Sequence, residues 1–111
     1  MTDLTEQQCQ ACEGGVEPMN ATEVDEQIAQ IPSWQPNESK TTISKPFQFK
    51  NFYRTMSFVN AVAWLANKEG HHPDMQIGYN YCHITFMTHA IKGLSMNDFI
   101  CAAKIEKLIN L

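Results

Sequence analysis

Glu69-Gly70-His71-His72-Pro73-Asp74 sets two imidazoles side by side, and Thr88-His89-Ala90-Ile91-Lys92-Gly93 supplies another. Three of the chain's four histidines thus fall at the ends of predicted segments, where side chains can converge on one small pocket. The unperturbed pKa of histidine lies nearest neutrality, so the ring gives or takes a proton at little cost. No serine or cysteine stands in an activating motif. The cluster therefore points to general acid–base chemistry rather than covalent catalysis.

Two backbone features position these rings. Gly70 frees the chain at the end of a predicted long helix, and Pro73 restricts His72 to an extended conformation. His89 stands at the far end of a predicted strand. If residues 75–79 and 82–88 pair as a hairpin turning at Asn80-Tyr81, counting back places Thr88 and His89 opposite Pro73-Asp74. The three imidazoles then share one site. His83 lies on the same strand face as His89, but six extended residues separate them by roughly 20 Å, so a cross-strand or surface role is expected for it. Zinc is the competing use of three histidines. Adjacent histidines followed by proline chelate poorly, because neighbouring side chains in extended chain point to opposite faces, and no His-x-His or His-x-x-x-His spacing occurs. No metal site and no cofactor are expected. Glu69 and Asp74 flank the pair and could tune its pKa, or be solvated turn residues.

The elements that carry these residues are legible in order. Asn20-Ala21-Thr22-Glu23 is a capping box, opening a helix to about Gln30 that Pro32 ends. Trp34–Glu38 and Thr41–Lys50 read as an antiparallel pair around a polar turn at 37–40. Pro36 and Pro46 each remove a ladder donor, so each must sit at a strand end, a bulge or an outward-facing edge. Asn51 caps a longer helix ending near Glu69 with Gly70 as its stop. Its apolar residues form two adjacent rows, Phe52, Met56, Val59, Ala63, Ala66 and Phe58, Val62, Leu65, an arc wide enough for a second element or second subunit. Trp64 lies outside both rows. On the last strand Cys82, Ile84 and Phe86 are expected to face the helices, with His83, Thr85, Met87 and His89 on the other side. Ser95 to Asp98 starts a final helix lined by Cys101, Ile105 and Leu108. The order α-β-β-α-β-β-α implies a two-layer α+β domain. Residues 1–18 are expected to be a polar N-terminal tail with little to bury, and 19–111 a single domain.

Bulk numbers narrow the function classes. At 111 residues the chain fits one domain with one core, and 43% apolar with 18% charged residues is ordinary for a soluble protein. A net charge of −4 argues against binding a phosphate backbone, so no nucleic-acid partner is expected. The longest apolar run, 61–66, is too short to span a bilayer, and residues 1–15 lack the apolar stretch of a signal peptide. The expectation is no membrane partner and a cytoplasmic protein. Cys82 and Cys101 are expected to be buried thiols. Cys9-Gln10-Ala11-Cys12 has the spacing of half a zinc site or a redox pair, but neither a second such motif nor a preceding strand supports it.

His71-His72-Pro73, Tyr79-Asn80, His83-Ile84-Thr85, Thr88-His89 and Gly93-Leu94-Ser95 with Asp98 together resemble the signature of the pterin-4a-carbinolamine dehydratases. The resemblance extends, more loosely, from about Asn20 to the C-terminus. It implies a four-stranded antiparallel sheet with three helices on one face. It also implies a reaction, the loss of water from a 4a-hydroxytetrahydropterin to give a quinonoid dihydropterin, recycling the pterin used by an aromatic amino acid hydroxylase. Carried onto this chain, His71 and His89 would transfer protons and His72 would hold the pterin. The catalytic set would be His71, His72 and His89, and substrate contacts would come from His71, His72, Pro73, Thr88, His89, Ala90, Ile91 and Asp98. Asp98 matches the family's aspartate, though a helix-capping role explains it equally. Gly70 and Asn97 stand where some members carry an acidic residue and an arginine. The family forms homodimers by sheet extension and homotetramers by helix packing. Some animal relatives serve as dimerisation cofactors of a transcription factor, so a non-catalytic coactivator module, or a pterin-binding regulator, is the alternative to an enzyme.

Overall fold

The computed structural model describes residues 3–10 and 17–109. Asn20 caps the first helix, α1 (Ala21–Ile28), through both bonds of the expected box: its side chain accepts from the Glu23 N–H, and Glu23 accepts from the Asn20 N–H. Two short strands follow, β1 (Gln35–Pro36) and β2 (Ile43–Gln48). The long helix α2 (Phe52–Glu69) starts at Asn51, whose side chain accepts from the Arg54 N–H, and stops at Gly70. The second hairpin is β3 (Asp74–Ile77) and β4 (Tyr81–Phe86), and α3 (Met96–Ile109) closes the fold.

The strands form one antiparallel sheet in the order β1-β2-β4-β3. Pro36 ends β1. Pro46 pairs with His83, and the Phe49 N–H donates to the Asn80 carbonyl at 2.8 Å, so alternation turns the nitrogen of residue 46 away from β4. It points to the side where two-residue β1 has already ended, and no ladder bond is lost there. One sheet face carries Ile43, Phe47, Cys82, Ile84 and Phe86, all buried against the helices. The other carries Ser44, Pro46, Gln76, His83 and Thr85, a polar set open to solvent. Aromatic contacts run through the core from Phe86 to Trp34 (5.8 Å), Phe47 (5.9 Å from Trp34) and Phe58 (4.7 Å from Phe47).

Three expectations need correction. The second hairpin turns earlier than its Asn80-Tyr81 pair suggested: Ile77 opposes Cys82 and Asp74 opposes Thr85, where Thr88 and His89 were expected opposite Pro73-Asp74. The turn is closed by the Gly78 N–H donating to the Tyr81 carbonyl at 2.9 Å, and the Tyr81 ring folds over Gly78, where a Cβ would lie 2.1 Å from a ring carbon. Phe52, assigned to the buried row of α2, is 48% exposed and contacts Tyr79 instead. Thr55 takes its place inside, with its hydroxyl at hydrogen-bond distance from the carbonyls of Asn51 (2.9 Å) and Tyr79 (3.0 Å). Finally, the N-terminal segment does bury a residue. A single 3-10 turn at Leu4–Glu6 places Leu4 in the core against α3.

Candidate active site

The site begins where α2 ends. Gly70 adopts a left-handed conformation (φ 69°), and its N–H and that of His71 both donate to the Ala66 carbonyl, at 2.8 and 3.2 Å. This cap reverses the chain and turns the next residue inward. The His71 ring stacks on Phe86, with centroids 5.9 Å apart and planes 6° from parallel. Its Nε2 lies 2.6 Å from Asp98 Oδ1. A carboxylate accepts only, so Nε2 carries the proton and Nδ1 is left as the ring's free nitrogen.

Asp98 is fully buried. Its second oxygen accepts from the Thr88 hydroxyl (2.7 Å) and from the Ser95 N–H (3.0 Å). Thr88 spends its proton on Asp98, so Ser95 Oγ, 2.8 Å away, donates to Thr88. Thr88 is held from its backbone too, pairing with Gly93 across a short bridge. Between them His89–Ile91 forms a 3-10 turn closed by Lys92 at φ 51°. His89 therefore does not continue the strand as expected. It projects from a turn, exposed; its carbonyl accepts from the Lys92 N–H at 3.2 Å, while its ring makes no hydrogen bond among the described residues. His72 is also exposed, and its Nε2 donates to Asn67 Oδ1 at 3.0 Å.

These elements enclose a cleft of about 480 Å³ lined by Gln10, Glu69, Gly70, His71, His72, Met87, Thr88, His89, Ala90 and Asn97. The structure thus brings His71, His72, Thr88, His89 and Ala90 to one cleft. Pro73 and Ile91 do not line it, and Asp98 stands behind His71. His83 lies on the open sheet face, beside Tyr81. Among the described residues no group of three or more His, Cys, Asp or Glu side chains has an arrangement that would hold a metal ion, and no helix is long and apolar enough to cross a membrane.

Gln10 and Asn97 were not singled out as site residues from the sequence. The Gln10 N–H donates to Asn97 Oδ1 (2.9 Å), and Asn97 Nδ2 donates to the Gln10 carbonyl (2.6 Å), so an N-terminal strap forms one wall. Nothing in a polar segment's pattern marks such a pairing across 87 residues. Glu69 serves the strap rather than the histidines. It accepts from the Cys9 N–H (3.0 Å) and from Lys104 (2.9 Å). Burial opposes its ionisation, but those two donors together outweigh burial and hold its carboxyl below the ordinary value. Asp74 is exposed at the start of β3.

Known proteins resemble this chain in sequence and in fold. The family model described as "Pterin 4 alpha carbinolamine dehydratase" matches residues 17–108. A Legionella pneumophila (strain Lens) protein named "Putative pterin-4-alpha-carbinolamine dehydratase" is 51% identical over 97% of this chain and 96% of its own. A Nitrosomonas europaea protein of the same name is 52% identical over 96% and 93%. Among solved structures, a transcriptional coactivator/pterin dehydratase from Brucella melitensis superposes with a TM-score of 0.78 at 27% identity, covering 83% of this chain and 98% of that one. A pterin dehydratase-like protein described as a RuBisCO assembly factor of the alpha-carboxysome gives 0.60 at 26% identity, covering 68% and 88%.

Proposed function

The chain belongs to the pterin 4 alpha carbinolamine dehydratase family, and on that premise we propose that it dehydrates a 4a-hydroxytetrahydropterin to the quinonoid dihydropterin. The observation that carries this reading is the convergence of His71, His72 and His89 on one cleft, with His71 backed by a buried carboxylate. A cleft of about 480 Å³ is in the range that takes a bicyclic heterocycle.

The reaction breaks the C4a–O bond and the N5–H bond, forms the C4a=N5 double bond and releases water. It needs a base for the N5 proton and an acid for the departing hydroxyl. His71 is the base. Asp98 holds its proton on Nε2, leaves the Nδ1 lone pair for substrate, and stabilises the imidazolium that forms. His89, unrestrained and exposed, is the acid. His72, steadied by Asn67, holds the pterin, and the backbone of 88–91 reads the ring edge. The substrate is the spent pterin of an aromatic amino acid hydroxylase, which makes such an enzyme the functional partner. The active species is a homodimer or homotetramer.

Two solved relatives are described with non-enzymatic roles, a coactivator and an assembly factor. A histidine set backed by a fixed carboxylate favours turnover over such a role here, because a docking module has no use for it. The test is decay of the 4a-carbinolamine followed in the presence of purified protein and of the His89→Ala variant. Acceleration by wild type, with a loss of about 10²–10⁴-fold in the variant, is expected. Identical decay with and without protein would remove the enzyme reading.

A further inference from the structure

Two thiols outside the proposed chemistry face each other. Cys9 Sγ and Cys101 Sγ lie 3.4 Å apart, joining the N-terminal strap to α3 across 92 residues of sequence. Both are free cysteines. A disulfide requires about 2.05 Å between sulfurs, so the pair must close by roughly 1.4 Å. The strap is held in place for that approach from three sides. Leu4 is buried against α3, the Cys9 N–H donates to Glu69, and the Gln10 backbone is paired with Asn97. Cys9 is half-buried whereas Cys101 is 1% exposed, so an oxidant meets Cys9 first.

We propose that Cys9 and Cys101 are a disulfide modification site, in which a hydroperoxide oxidises Cys9 and Cys101 then closes a bond that staples the strap to α3 beside the histidine cleft. In the first step the Cys9 sulfur attacks the peroxide O–O bond, takes a hydroxyl as sulfenic acid, and the remaining oxygen leaves as water (for hydrogen peroxide) with the thiol proton. In the second, the Cys101 sulfur attacks the Cys9 sulfur. The hydroxyl departs as water with the Cys101 proton. Two thiols lose two electrons, and one peroxide becomes two waters. The hydrogen bond to Cys9, together with burial, pushes the Cys101 thiol up, which fits its place as the second, resolving sulfur rather than the one attacked first. Cys82 is fully buried in the sheet, makes no contact with another thiol among the described residues, and is an internal control. The consequence reaches the cleft because Gln10, next to the staple, lines its wall. This inference does not depend on the dehydratase reading.

The test treats the whole chain with hydrogen peroxide, blocks remaining thiols, and maps tryptic peptides without reduction. Cleavage after Lys40, Lys92 and Lys104 puts Cys9 and Cys101 in different peptides. Cys9 shares its peptide with Cys12, so Cys9→Ser and Cys12→Ser variants assign the bond. The expected result is a cross-link between the peptides in wild type, kept in Cys12→Ser and lost in Cys9→Ser. Amide exchange at Cys9 and Gln10 slows by at least about tenfold on oxidation, and Tm rises by roughly 10 °C. Cys9 stopping at sulfenic or sulfinic acid, a bond confined to the first peptide, or a cross-link surviving in Cys9→Ser would each overturn the proposal. So would unchanged exchange in the cross-linked protein.

Discussion

Replacing Asp98 with asparagine isolates the proton relay from the shape of the site. The side chain keeps its size, and its remaining oxygen can still accept from Thr88 and the Ser95 N–H, now 2.7 and 3.0 Å from Oδ2. The change falls on the other side, where an amide N–H would face the protonated His71 Nε2, now 2.6 Å from Oδ1. Two donors cannot share that contact, so the ring shifts its proton to Nδ1 and accepts from asparagine. The lone pair that would take the N5 proton is gone. Loss of one positioned base costs about 10²–10⁴-fold in rate, or roughly 3–5 kcal/mol of barrier. The three bonds to Asp98 change from charge-assisted to neutral. That lowers stability by roughly 1–3 kcal/mol, or a Tm fall of roughly 5–15 °C, so the variant is expected to stay folded. Carbinolamine decay measured against substrate concentration should show kcat falling with KM nearly unchanged. A folded variant with kcat within about threefold of wild type would refute the tautomer argument. A raised KM at constant kcat would refute it too, since Asp98 would then serve binding alone.

Glu69 ties strap, α2 and α3 together, and its carboxyl is held below the ordinary value, so its ionised bonds stabilise the fold above the unfolded-state pKa. That contribution is lost as pH falls below about 4.3 and through the lowered folded value. Glu69→Gln should therefore narrow the gap in Tm between pH 7 and acid pH, and an unchanged gap in thermal melts would count against the linkage. Sedimentation should report a homodimer or homotetramer. Exposed Tyr53 and Trp64 on α2, 83% and 63% accessible, and the outer edge of β3 are the surfaces to be covered. A monomer at micromolar concentration would exclude that assembly.

Sequence patterns carried the elements further than the contacts between them. Asn20, Asn51 and Gly70 each act through local backbone geometry, and each does what its residue type dictates. The alternation of Cys82, Ile84 and Phe86 against His83 and Thr85 likewise needs only the two-residue period of a strand. The hairpin register failed because Asn80-Tyr81 looked like a turn, while the contact that accompanies the actual turn, the Tyr81 ring over Gly78, is a packing event that no pattern records. That slip bears on the site. Continuing the pairing of Asp74 with Thr85 by three residues brings Thr88 level with His71, whereas the expected register put it level with Pro73. The strap was missed for a related reason. A lone Leu4 among polar residues gives no period, and its burial depends on where α3 lies.

Asp98 shows why a helix cap and a site residue need not be alternatives. One oxygen takes the Ser95 N–H and so begins α3, as the Ser-x-x-Asp spacing predicts. The same oxygen fixes Thr88, which sets the turn bearing His89. The other oxygen orients His71. A single buried carboxylate therefore couples the end of α2, the end of β4 and the start of α3. The ionised group is tolerable inside only because all of those donors arrive together. It follows that the geometry of the histidines is not an addition to a finished scaffold. The bonds that let these three elements meet also hold the His71 ring and fix the turn that carries His89. Forming the core and forming the site are then one event.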